Sequence, residues 1–151
     1  VDRIAQLTKK TNQFNLTTRR YSTTEINEFI ELGNIVLYLS VEDCFGEYGI
    51  SGVAIIKKSQ KYEWLIDTFL LSCRVIGKKI ESAFLNEVID ILKSKKASKL
   101  YGQYIDSKKN HLTKNFYKDH DFYLSDKKDS IWEYDLQKTP EAIDFIKIRR
   151  I

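Results

Sequence analysis

Apolar positions along the chain change period several times, and each change marks an element. Residues 1–13, VDRIAQLTKKTNQ, carry Ile4 and Leu7 at helical spacing and predict a short helix or an ordered lead-in. FNLTTRRY, from Phe14 to Tyr21, is rich in threonine and aromatic residues and predicts a first strand. STTEINEFIELG then follows a helical period. Ile26, Phe29 and Ile30 form its stripe, Ser22 or Thr23 caps it, Glu25 stands at capping-box spacing from Ser22, and Gly33 ends it.

A run of strands comes next. NIVLYLSVED and GISGVAIIKK flank the turn segment CFGEY and predict a hairpin. YEWLIDTFLLSC is a third, long strand, apolar on both faces in its second half, as expected at a sheet centre. After Gly77, the residues Ile80, Phe84, Leu85, Val88, Ile91 and Leu92 trace a helical stripe of about four turns. SKLYGQYI predicts a strand, NHLTKNFYKDH a shorter helix, and DFYLSD and SIWEYDL two last strands. The predicted order is β-α-β-β-β-α-β-α-β-β, an α/β (α+β) arrangement, with an irregular or helical tail over residues 139–151.

Length and composition bound this picture. The 151 residues suffice for one domain with a sizeable core, and no internal repeat or boundary divides them. With 42% apolar and 13% aromatic residues the chain is not disordered, and a single proline argues against a long linker. A net charge of +4 is too mild to imply nucleic acid, and no nucleic-acid module is recognisable. It suits a polyanionic small ligand or an acidic protein partner. Cys44 and Cys73 have neither metal-ligand spacing nor a disulfide framework; their apolar flanks predict buried free thiols in a reducing compartment. With no long apolar run and no signal-like start, a cytoplasmic protein with no membrane contact is expected. The Asn15-Leu16-Thr17 sequon is then a chance match. The chain lacks methionine and begins at Val1, so it is expected to be a piece of a longer protein.

Candidate chemistry concentrates in FLLSCRVIGKK, where a strand hands over to a helix. Unpaired N–H groups and the helix dipole make such a junction an anion site. Gly77 permits close backbone approach, while Arg74, Lys78 and Lys79 add charge. The plainer alternative is a solvated loop with a capping glycine. His111 and His120 have no carboxylate or thiol at ligand spacing, so exposed helix positions are expected and no metal. Asp67 is either a base or an outward-facing strand carboxylate. Arg19-Arg20 is either an anion clamp or a sheet-edge pair. Lys93, Lys95, Lys96 and Lys99 complement the helix dipole and would also meet an acidic carrier protein.

The element order, with CRVIGKK between the central strand and the main helix, resembles the GCN5-related N-acetyltransferase (GNAT) fold. That resemblance implies a mixed, mostly antiparallel sheet of about six to seven strands flanked by helices. Arg74, Gly77 and Lys79 fall at the three fixed places of the family's acyl-CoA motif, with Lys79 where a small residue is usual. NHLTKNFYKDHDF supplies Asn110, Phe116-Tyr117 and Phe122 of the second signature, with Asp121 where glycine is usual. TNQFNLTTRRYS, FLLSCRVIGKKIE and the later FY pair also resemble the C-terminal region of FkbH-like proteins, from about Arg3 to Phe122. Those proteins carry an N-terminal HAD-type phosphatase or phosphotransferase domain and make glyceryl or hydroxyacyl units on an acyl carrier protein in secondary metabolism. The paired-aspartate HAD motif is absent from this chain.

The resemblance implies acetyl-CoA, another acyl-CoA, or a phosphopantetheine arm on a carrier protein as ligand. The arm would run along the central strand, roughly Thr68 to Cys73 and including Leu71. Its phosphates would meet Arg74 and the N–H groups of Val75, Gly77, Lys78 and Lys79. Tyr117 matches the position of the frequent general acid, against a plain core aromatic as the alternative. Asn110 would bond the arm or fix its local turn. Cys73 is an acyl-accepting thiol or, with its apolar flank, an inert one. Either the domain transfers acyl groups, or it is a non-catalytic docking module that presents them to a separate HAD active site.

Overall fold

The computed structural model describes residues 1–43, 46–77, 79–125, 130–140 and 148–150. Cys44, Phe45, Lys78 and most of the predicted tail lie outside this set. Two helices come first, α1 (Asp2–Lys10) and α2 (Thr23–Glu31), then strands β1 (Ile35–Asp43), β2 (Gly46–Gln60) and β3 (Glu63–Leu71). Helix α3 (Ile80–Ser94) leads to β4 (Lys99–Gln103). A 3-10 turn (His111–Thr113) precedes α4 (Phe116–Asp119), followed by β5 (Tyr123–Leu124), β6 (Ile131–Tyr134) and β7 (Ile148–Arg150).

The strands form one seven-stranded sheet in the order β5-β6-β4-β3-β2-β1-β7. Among the described residues every pairing is antiparallel except β3 with β4, which α3 joins as a crossover. The mixed, mostly antiparallel sheet flanked by helices is therefore present. Strand alternation divides the apolar residues between two faces. Val36, Val53, Ile55 and Leu70 meet Ile4, Leu7 and Ile26 of α1 and α2. Leu37, Ala54, Ile56, Ile66 and Phe69 meet Phe84, Leu85 and Val88 of α3. Trp64, Ile66, Phe69 and Leu71 all join the α3 side, a spacing that strict alternation forbids. The pairing jumps from Ile55–Thr68 to Ile56–Ile66, so Asp67 is an extra residue in a β-bulge that flips the parity.

Helix α2 forms as its sequence predicts. The Glu25 amide donates to Ser22 Oγ (3.2 Å) and the Ser22 amide to Glu25 Oε2 (2.9 Å), completing the capping box. Gly33, at φ +86°, turns the chain away.

Three expectations need correction. The segment 14–21 is not a strand; only Asn15 forms a bridge, to Leu70. Asn15 Oδ1 accepts from the Thr17 and Thr18 amides (3.4 and 2.9 Å), an Asx turn that bends the chain, and Thr18 takes φ +56°. Local side-chain bonding overrides the β-propensity of the threonines. The tail is not wholly irregular or helical, since Ile148–Arg150 pair with Leu37–Leu39; three residues are too few to show a period. Cys73 is exposed rather than buried, because the strand ends at Leu71 and the next residues turn outward.

Replacing Ser22 by alanine removes the α2 cap, and the expected loss is about 1 kcal/mol in urea unfolding. An unchanged unfolding midpoint would show that solvent satisfies the Glu25 amide equally well.

Candidate functional site

β3 and β4 pair only from Glu63–Lys99 to Ile66–Gly102. Beyond the Asp67 bulge the two parallel strands part, leaving the carboxyl half of β3 with an uncovered edge. The space is filled by the chain itself. The Leu16 amide donates to Phe69 O (3.1 Å) and the Leu71 amide to Phe14 O (3.0 Å). On the other side the Ile105 amide donates to Leu16 O (2.8 Å). Thr17 Oγ1 donates to Asp67 O (2.9 Å). Asn110, fully buried, donates from Nδ2 to Asn15 O (2.8 Å) and Ile105 O (2.9 Å), while its Oδ1 accepts from the Ser107 amide (3.0 Å). Phe14 packs edge-on against Phe116, with ring centroids 5.5 Å apart. Residues 14–17 are thus a plug between β3 and the continuation of β4.

At the bulge, Asp67 gathers a polar cluster. Its carboxylate lies 2.7 Å from Arg19 Nη1 and 3.5 Å from Lys57 Nζ. It accepts from Tyr21 Oη (2.6 Å) and Thr68 Oγ1 (2.9 Å). Arg19 Nη2 reaches across to Gln103 Oε1 (2.9 Å). Burial, with the Asp67 hydrogen bond and charge next, pushes the Tyr21 phenol well above its ordinary value, so Tyr21 stays a donor. A nearly buried carboxylate bound on all sides is a structural anion rather than a free base. Arg20 turns away and donates to the Thr8 and Thr11 carbonyls at the end of α1.

Tyr117 lies on the α3 side of the same parting. A Cβ built on Gly102, the last residue of β4 paired with β3, would meet Tyr117 Cζ at 2.4 Å, so the phenol end rests on bare backbone. The side chain is 1% exposed, and its hydroxyl has no hydrogen-bond partner among the described residues. Burial and the Asp67 charge push its pKa up, so it too keeps its proton. Buried hydroxyls normally find partners, and an orphan one marks a place for something else. Beside it, His120 is half-buried and ties α4 to α3. Its Nδ1 donates to Phe116 O (2.7 Å), and its Nε2 pairs with Ser82 Oγ (2.7 Å).

The loop from β3 to α3 carries the charged candidates. Cys73, Arg74, Gly77 and Lys79 are exposed, while Val75 is a core residue. Among the described residues no side chain caps α3. Glu81 in the first turn places a carboxylate at the positive helix end, and its Oε2 is buried without a partner among the described residues. Gly77 has φ +88°, and both residues standing where the resemblance has small ones, Lys79 and Asp121, are left-handed as well, at φ +61° and +68°. The backbone at both places has a geometry that glycine adopts most readily. At the far end of α3, Lys93 is half-buried; Lys95, Lys96 and Lys99 are exposed.

Leu71, Asn110 and Tyr117 therefore converge on the parting of β3 and β4, and Arg74, Gly77 and Lys79 line the loop at its open end. Lys78 lies outside the described residues. The Arg19–Asp67–Tyr21–Lys57 cluster and the Asn15 clamp escaped the sequence reading, because Arg19 and Asp67 are separated by 48 residues. The available signal was Asp67 itself, a charge in an otherwise apolar central strand, which must be paired. Among the described residues no acidic, histidine or cysteine group could hold a metal, and no helix is long and apolar enough to cross a membrane.

The fold has solved counterparts. An IAA acetyltransferase from Bacillus cereus matches with a TM-score of 0.54 and 17% identity, over 69% of this chain and 64% of that one, so the match spans less than two thirds of its length. The PaiA N-acetyltransferase from Thermoplasma acidophilum, in complex with coenzyme A, gives 0.53 and 17% identity over 88% and 86% of the two chains. A protein from Salmonella typhimurium described as an acetyltransferase, with its cofactor acetyl-CoA, gives 0.59 and 13% identity over 95% and 90%. No protein-family model matches the sequence, and no curated protein does. At such identities the likeness is one of architecture: the chain has the GNAT acetyltransferase fold.

Two substitutions probe the site's construction. Asp67→Asn is expected to lower the Tyr21 phenol pKa in an ultraviolet titration, though burial still holds it up. The same change is expected to cost about 2 kcal/mol in urea unfolding, less than for fully buried pairs because the Arg19 and Lys57 side chains are 33% and 31% exposed. Gly102→Ala forces Tyr117 out of position, with an expected loss of roughly 1–3 kcal/mol; wild-type stability would mean that the ring finds another resting place.

Proposed function

We propose that this domain holds the phosphopantetheine arm of an acyl-CoA or of an acyl carrier protein and acts on the thioester it carries. The observation that carries this reading is the orphan Tyr117 hydroxyl, buried where β3 and β4 part. Ligands bind beyond the carboxyl ends of parallel strands, and the parallel pair of this sheet opens there. The ligand supplies an activated acyl group, and the residues of the chain do the rest. Arg74 and the first N–H groups of α3 meet the phosphates. Tyr117 donates a hydrogen bond to the sulfur as charge develops on it. Burial and the Asp67 charge keep the phenol protonated until the thioester is cleaved, so as general acid it has a proton to give the leaving thiolate. Glu81, at the same helix end, opposes the phosphate and limits the affinity.

The FkbH-like resemblance gives this reading its setting. There the carrier protein would deliver a glyceryl or related hydroxyacyl unit for secondary metabolism, next to a HAD-type domain N-terminal in the full-length protein, inside the cytoplasm. A second reading, the non-catalytic docking module, is favoured by one observation: Lys79 and Asp121, both exposed, stand where the resemblance has small residues.

Calorimetric titration of the chain with acetyl-CoA, CoA and phosphopantetheinylated carrier protein tests both. Micromolar binding, weakened about tenfold by Arg74→Ala, supports the pantetheine site. Acyl transfer that falls in Tyr117→Phe with unchanged affinity assigns the hydroxyl to chemistry. Carrier binding with no CoA binding favours the docking module, and silence toward all three ligands removes the proposal.

A further inference from the structure

We infer that the Phe14–Thr17 plug stands in the place of the ligand's arm, and that the arm enters only when the plug gives up the β3 edge; this rests on the pantetheine reading above. The plug meets β3 through one N–H, from Leu16, and one C=O, from Phe14. These are the groups that each amide of a pantetheine chain also presents, so plug and arm compete for Phe69 O and the Leu71 amide. An extended chain added to a free strand edge is a general mode of recognition, and here the chain supplies its own. Asn110 clamps the plug through Asn15 O, and after exchange that donor would face the arm.

Two features make the plug exchangeable rather than a strand of the sheet. Its backbone pairing with β3 amounts to one isolated bridge, to which the Thr17 hydroxyl adds a bond to Asp67 O. At its end Thr18, a β-branched residue, is held at φ +56°, a conformation that release of the segment relieves. A slot open only part of the time lowers apparent affinity by the open fraction, so loosening the plug must tighten binding.

Asn15 and Leu70 face each other as a non-hydrogen-bonded antiparallel pair, whose Cα separation of about 4.5 Å suits a disulfide. The test is Asn15→Cys/Leu70→Cys in a Cys44→Ser/Cys73→Ser background, titrated with acetyl-CoA and phosphopantetheinylated carrier protein, oxidised and then reduced. Thr17→Val, which removes the bond to Asp67 O without changing the side chain's shape, is the companion should the double variant not fold. Binding abolished on oxidation and restored on reduction is expected, as is affinity about fivefold above wild type in Thr17→Val. Equal binding in the two redox states, or unchanged affinity in Thr17→Val, overturns the plug while leaving the pantetheine reading intact. Binding by none of these proteins, wild type included, overturns that reading and the plug with it.

Discussion

A buried strand must satisfy the backbone groups of both its edges, and that requirement at β3 governs the rest of the molecule. β2 covers one edge for the whole strand, whereas β4 covers the other only as far as Ile66. The bulge at Asp67 ends the shared register. Past it lies an edge in the middle of the sheet that neither neighbour can reach, and the chain answers it with Phe14 and Leu16. Asn110, Asn15 and the Asp67 cluster then all serve to keep one irregular segment in one place. The apolar side chains help, since Phe14 and Leu16 belong to the α3-side core. Burying them is worth roughly 1.5–3 kcal/mol each.

The polar residues at the parting divide by face and by task. On the α1–α2 side Asp67 is surrounded by donors and is committed to holding Arg19, Tyr21 and the bulge. On the α3 side Tyr117 has the same carboxylate close enough to raise its pKa, yet no partner of its own among the described residues. One charge thus has two effects, fixing the frame on one face and keeping a phenol protonated on the other. Tyr21 shares the raised pKa but is already engaged, so it is Tyr117 that has a hydrogen bond left to offer.

Helices α2 and α3 were legible in the sequence because amphipathic stripes and the Ser22–Glu25 box depend on neighbours three and four residues apart. Long strands such as β1, β2 and β3 were legible from their apolar runs. The fold could be read from their order together with CRVIGKK. Phe14–Tyr21 was read as a strand because propensity weighs side chains one at a time, whereas the Asn15 side chain bonds two amides further on and bends the segment. β7 was illegible because a strand of three residues carries no pattern and is defined by its partner β1 alone. At the site, Tyr117 and Arg74 could be singled out by position in a motif, but the orphan hydroxyl and the occupied β3 edge are products of tertiary structure. The bonds from residues 15–19 to Asp67 and Asn110 span tens of positions, and no local spacing encodes them.

The position of the plug also sets an order of assembly. Thr17 bonds to a residue 50 positions later, and Asn15 to one 95 positions later. During synthesis this segment leaves the ribosome before β3, α3 and β4 and has nowhere to dock until they exist. Contacts of such span close slowly, because the loop entropy comes before the reward. A segment made before its partners is therefore among the last to settle, and until then the gap in the sheet offers raw backbone to any extended polypeptide nearby.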